Sequence, residues 1–178
     1  MGSRKKNILI TGLPGVGKTT LIQKFAQELK GSHPVGFYTA ETRERGTRNG
    51  FELVSLDGRR GVLSHAGMKS HQRVGKYRVD VIGFDALLDS IPFFDPLRRL
   101  IIIDEIGKME CFSDKFRKLL KALLDSEKVV IATIALKGEG LISEIKARED
   151  VKLYEITRSN RDSLLGEILK ALKSKLNQ

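Results

Sequence analysis

Gly12-Leu13-Pro14-Gly15-Val16-Gly17-Lys18-Thr19 matches the pattern G-x-x-x-x-G-K-[ST] at every position. No other feature restricts so strongly what this chain can fold into, because the pattern functions only between a strand and the start of a helix. Both flanks are present. Asn7-Ile8-Leu9-Ile10-Thr11 is a short apolar stretch of strand type, and Leu21, Ile22, Phe25, Ala26 and Leu29 recur at helical spacing before Gly31 supplies a stop. Gly12, Gly15 and Gly17 allow the close approach that lets successive backbone N–H groups face phosphate oxygens. Lys18 is placed to reach the β- and γ-phosphates, the Thr19 hydroxyl to ligate Mg²⁺, and the helix through Thr20 to add its positive dipole end. Residues 12–20 are therefore expected to bind a nucleoside phosphate.

The length of 178 residues suits one α/β domain. Hydrophobic residues at 40% and charged residues at 30% give a globular rather than a disordered balance. No apolar run approaches the ~18–20 residues that span a bilayer, and Met1 to Lys6 leads directly into the first strand without a signal-peptide core. Lys6 at the sixth position argues against myristoylation at Gly2. The single Cys111 excludes an internal disulfide and fits a reducing cytosol, so a cytoplasmic monomer with no membrane contact is expected.

The net charge of +10 is concentrated. Arg43, Arg45, Arg48, Arg59, Arg60, Lys69, Arg73, Lys76 and Arg78 face only Glu44, Glu52 and Asp57 between positions 43 and 78. Such a segment attracts phosphates or weakly binds nucleic acid, or it is a solvated basic face; no aromatic interleaving of a nucleic-acid module accompanies it.

After the first helix the pattern becomes β-rich. Residues 35–40 read as a strand, Arg48-Asn49-Gly50 as a turn, residues 51–56 as an alternating strand, 61–64 as a short strand and 78–82 as another. A short helix is expected around Phe84 to Asp89. The segment 36–82 thus reads as a sheet extension attached to the α/β core. Leu100 to Ile103 is a continuous apolar run, as in a parallel strand buried on both faces. Ser113 caps a helix bearing Phe116, Leu119, Leu120, Leu123 and Leu124; residues 129–133 and 152–156 are further strands; and a final helix after Ser159-Asn160 carries Leu164, Leu165, Ile168, Leu169, Leu172 and Leu176. The expected fold is α/β, a mainly parallel sheet with helices on both faces and ligands at the carboxyl ends of its strands.

Asp104-Glu105 terminates the apolar run in a Walker B pattern. Asp104 is expected to hold Mg²⁺ and Glu105 to orient and activate water against the γ-phosphorus, with Ile106-Gly107 following along the nucleotide. Lys108 and Glu110 face either nucleotide or solvent. Thr133 either senses the γ-phosphate or finishes a buried strand. Arg158, Asn160 and Arg161 stand where many related folds border the base, but Asn160 equally suits a helix cap, and Ser159-x-x-Asp162 has capping-box form. His33, His65 and His71 lack metal-ligand spacing.

Beyond these motifs, Gly36-Phe37-Tyr38-Thr39 with Glu41 and Arg43, Gly50-Phe51, Asp104-Glu105-Ile106-Gly107-Lys108-Met109-Glu110 and Thr157-Arg158-Ser159-Asn160-Arg161-Asp162 run in order along nearly the whole chain. In them the sequence resembles the nucleoside-triphosphatase family first described from thermophiles and represented in human. The resemblance implies a P-loop NTPase fold and Mg²⁺-dependent hydrolysis of several nucleoside triphosphates to diphosphate and phosphate, with loose base selectivity. A kinase acting on a small acceptor, or a nucleotide-gated nucleic-acid binder, fits the same residues as an alternative.

Overall fold

The computed structural model describes residues 5–176, and side chains as far as residue 173. Residues 1–4, on which the amino-terminal reading rests, and the Leu176 side chain of the final apolar stripe lie outside the described residues. The elements in chain order are β1 (Asn7–Thr11), α1 (Lys18–Glu28), β2 (Val35–Glu44), β3 (Thr47–Ser55), β4 (Arg60–His65), β5 (Arg73–Val74), β6 (Tyr77–Val79), α2 (Val81–Ser90), β7 (Leu100–Ile106), α3 (Asp114–Asp125), β8 (Val129–Ile134), α4 (Leu141–Lys146), β9 (Val151–Glu155) and α5 (Arg161–Leu176).

The described strands form one sheet in the order β5-β6-β4-β3-β2-β7-β8-β1-β9. From β2 to β9 the pairs are parallel, and from β2 outward to β5 they are antiparallel. The sheet is therefore mixed, with β2 belonging to both halves. Alternation along the central strands explains why they read as unbroken apolar runs. Ile101 and Ile103 pack with α2, α3 and α4, while Leu100 and Ile102 pack with α1 and α5 on the opposite face. Each strand is buried on both sides, as a parallel sheet covered by helices requires.

Side chains cap two helix starts, the expected one at Ser113 and one at Asp80 that was not foreseen. The Ser113 hydroxyl accepts the Phe116 N–H at 2.9 Å, and Asp80 Oδ1 accepts the Gly83 N–H at 2.9 Å. That second cap also corrects the expected strand at 78–82: the strand ends at Val79, and Val81 and Ile82 already belong to α2. The hairpin turn is not at Asn49-Gly50. It lies at Arg45-Gly46, whose φ values of 48 and 80 both fall in the left-handed region that a two-residue hairpin of this hand needs. Gly50 instead sits within β3, where a Cβ would come within 2.3 Å of the Ser64 carbonyl oxygen. The six-residue α4 had no sequence counterpart, being too short to establish a period.

Candidate active site

The loop between β1 and α1 has the backbone freedom and close packing that an anion cradle needs. Gly15 and Gly17 have φ values of 74 and 112, and Gly12 lies so close to the Ile156 carbonyl oxygen that a Cβ would stand 2.6 Å from it. Val16 is buried in the cluster formed with α1 and α5, so its side chain anchors the loop, while Leu13 is exposed. Gly17 precedes α1 and no side chain caps that helix, which leaves its first N–H groups and positive dipole end for a ligand. The Lys18 ammonium donates to the carbonyls of Gly12 and Leu13 at 2.9 and 3.0 Å, which holds its charge over the loop.

Asp104 is the convergence point; it is fully buried within β7, which runs on to Ile106 and does not end at the Asp104-Glu105 pair as expected. Its Oδ2 accepts from the Thr19 hydroxyl at 2.8 Å, the Thr39 hydroxyl at 2.7 Å and the Thr39 N–H at 3.3 Å; its Oδ1 accepts from the Thr133 hydroxyl at 2.6 Å. Four donors fix the carboxylate against the start of α1. The alternative left open for Thr133 is resolved in an unforeseen way: it is a buried strand residue whose hydroxyl orients Asp104. Thr39 was not singled out as a site residue; its sequence signals were its place near the end of the second apolar strand and in the Gly36-Phe37-Tyr38-Thr39 stretch that carries the resemblance. The donors here are hard oxygens, and among the described residues no group of three or more His, Cys, Asp or Glu is arranged for a metal. A cation at Thr19 and Asp104 would thus take most of its ligands from water and phosphate, the habit of Mg²⁺.

Glu105 and Glu110 form a second acidic pair. A Cβ on Gly107 would stand 2.7 Å from Glu105 Oε1 and 2.9 Å from Glu110 Oε2. Glycine at 107 is what makes room for both carboxyl groups, which lie within about 6 Å of each other, close enough for like charges to repel. Burial, then the Asp104 charge, raises the Glu105 carboxyl above its ordinary value despite the opposing pull of Lys18. Burial, then the Glu105 charge, pushes Glu110 up to about 8. Ile106, expected along the nucleotide, is buried in the core. Cys111 is free and its thiol is pushed up to about 11, chiefly by burial, so it is a poor nucleophile.

A cavity of about 660 Å³ opens over these groups, bounded by Pro14, Gly15, Gly17, Lys18, Thr19 and Thr20 on one side and by Glu105, Lys108, Met109 and Glu110 on another. Asn160 and Arg161 do not line it. The Asn160 amide donates to the Glu155 carbonyl at 2.8 Å and its Oδ1 accepts the Thr157 N–H at 2.8 Å, so it shapes the turn before α5. Ser159 meets the Thr157 hydroxyl rather than closing a capping box. The basic segment is partly neutralised: Arg43 and Arg48 pair with Glu41, Arg59 with Asp57 and Arg60 with Glu52, while Arg45, Lys69 and Arg73 have no ion pair among the described residues.

Residues 7–169 match the NTPase family. The nucleoside-triphosphatase THEP1 of Thermotoga sp. (strain RQ2) is 47% identical over 167 residues, 93% of this chain and 95% of that protein. The crystal structure of THEP1 from the hyperthermophile Aquifex aeolicus superposes with a TM-score of 0.84 at 39% identity, covering 93% of this chain and 98% of that one. The solution structure of a human cancer-related nucleoside triphosphatase gives 0.81 at 39% identity, covering 95% and 98%. With a glycine loop before α1, an acidic strand end beside it and this likeness over almost its full length, the chain belongs to the NTPase family of nucleoside-triphosphatases and is a hydrolase.

Proposed function

We propose that this protein is a Mg²⁺-dependent nucleoside-triphosphatase that releases the γ-phosphate of ATP, GTP and other nucleoside triphosphates with loose base selectivity. The observation that carries the reading is the convergence of Thr19, Thr39 and Thr133 on Asp104, with Glu105 next along the chain and the loop opposite. Backbone N–H groups of residues 12–19 hold the phosphates, and Lys18 turns its ammonium from loop carbonyls to phosphate oxygens, exchanging neutral acceptors for charged ones. Thr19 and Asp104 would hold Mg²⁺, which when bound neutralises charge on the phosphates. Glu105 takes a proton from the water that attacks the γ-phosphorus, and the bond to the β–γ bridging oxygen breaks toward the loop. Its raised pKa brings it nearer the working pH of a general base.

The base stays on the far side of the loop, beside the turn that carries Arg158, Asn160 and Arg161. With the Asn160 amide engaged by the backbone, that turn is left with Arg158 and Arg161, whose guanidinium groups stack on any base alike. The same reading takes the chain as one domain, since β2 is shared by both halves of the sheet, and as a cytosolic monomer with an unpaired Cys111. Phosphate release from ATP, GTP, CTP and UTP, with Mg²⁺ and with chelator, is the test. The kcat/KM values should lie within about two orders of magnitude, or ~2.7 kcal/mol, and should vanish with chelator. Cleavage of a single nucleotide, or undiminished cleavage without divalent metal, contradicts the reading.

A further inference from the structure

Hydrolysis needs room for one water beyond the γ-phosphate, about 30 Å³. The cavity over Glu105 is about 660 Å³, within the size range of sites for small organic ligands. That space includes the phosphate site, since the loop lines it, but it continues beyond the loop to a far wall made by the sheet extension. β2 pairs with β7 only from Val35 to Phe37, yet pairs with β3 as far as Glu44 and Thr47. The outer part of this hairpin therefore runs on past Asp104. Its Glu41, Arg48 and Phe51, with Leu63 and Val74 from the next strands, line the cavity opposite Lys18 and Glu105.

This wall is ordered in advance. Arg48 Nε donates to the Tyr77 hydroxyl at 3.0 Å and its Nη1 to Glu41 Oε1 at 2.9 Å; its guanidinium stands 5.4 Å from the Phe51 ring centre, and Phe51 meets Tyr77 edge to face at 5.3 Å. The half-exposed Arg48 guanidinium and the Phe51 ring beside it offer a surface on which a flat group can stack, and Glu41, whose two carboxylate oxygens are taken by Arg43 and Arg48, holds that guanidinium in place. Those are the features that recognise a heteroaromatic base.

We propose that this far lobe binds a nucleoside as phosphoryl acceptor, its ring on Arg48 and Phe51 and its hydroxyl toward Glu105, so that the enzyme transfers the γ-phosphoryl group to that hydroxyl as well as to water. The acceptor oxygen bonds to the γ-phosphorus, the bond to the β–γ bridging oxygen breaks, the nucleoside diphosphate departs, and the hydroxyl proton passes to Glu105 and then to solvent. The proposal rests on the loop being the triphosphate site.

The full chain is incubated with γ-labelled ATP and, separately, adenosine, guanosine, cytidine, uridine and thymidine, and labelled nucleoside monophosphate is separated from labelled phosphate. At least one nucleoside becomes labelled and accelerates diphosphate formation. Arg48→Gln and Phe51→Leu, the second chosen to keep the apolar contact, lower the ratio of labelled nucleoside to free phosphate by about ten- to a hundredfold, the worth of one stacked base. Free phosphate alone with all five nucleosides overturns the acceptor site and leaves the hydrolase reading intact; neither product overturns both. Labelled nucleoside in a ratio unchanged by either substitution overturns the assignment to this lobe.

Discussion

The two halves of the sheet share β2 but are stabilised and used differently. In the parallel half, Leu100 to Ile103 and Val130 to Ala132 are fully buried between two helical layers, and the polar groups sit at the strand ends, where Asp104 gathers three threonine hydroxyls. In the antiparallel half, α2 covers one face, and the other carries the ion pair of Glu52 with the exposed Arg60. Charge is fixed and desolvated in the first half and screened by water in the second. A substitution of the same chemical type should therefore matter far more at the carboxyl end of β7 than on the extension.

The largest expected effect on stability comes from Glu110. Between its ordinary value of 4.5 and about 8, the native protein keeps a proton that the unfolded chain releases. Stability should consequently fall as pH rises through that window and level off above it, by up to about 5 kcal/mol. Denaturant unfolding at pH 5, 7 and 9 checks this, and Glu110→Gln should flatten the profile; an unchanged slope would mean that Glu110 titrates normally. Next is Lys18→Ala, expected to weaken binding of a non-hydrolysable triphosphate by ten- to a hundredfold, about 1.5–3 kcal/mol, in a calorimetric titration. Unaltered affinity would remove the lysine from the phosphate site. Smallest is Arg60→Ala. Its pair with Glu52 is exposed, so unfolding should shift by about 1 kcal/mol or less, and phosphate release should match the unsubstituted chain. A larger loss would show that the extension is not merely screened surface and would erase the contrast.

What could be read from the sequence divides along the same line. The loop, α1 and the acidic end of β7 are contiguous motifs, each legible within a dozen residues. The convergence on Asp104 is not, because Thr39 and Thr133 reach it from strands that lie 65 and 29 residues away. Glu110 was visible as the last acid of the Asp104–Glu110 stretch, open to nucleotide or to solvent; that Gly107 leaves space for it beside Glu105 depends on the turn after β7. In the extension, Asn49-Gly50 outcompeted Arg45-Gly46 as a turn signal, since asparagine-glycine is the stronger local preference and Gly50 is needed for close strand packing instead. Asn160 had two readings from sequence, and the observed hydrogen bonds to Glu155 and Thr157 make it the organiser of its turn.

In the proposed function Glu105 activates water while Lys18, Thr19 and Asp104 hold the nucleotide and its metal. Single-turnover hydrolysis of ATP by Glu105→Gln, measured alongside nucleotide and Mg²⁺ affinity, tests it most directly. Glutamine keeps the size but cannot take the proton, so the rate should fall about 10²–10⁴-fold while both affinities persist, because Lys18, Thr19 and Asp104 remain. Hydrolysis at the unsubstituted rate would contradict the assignment and turn attention to Glu110.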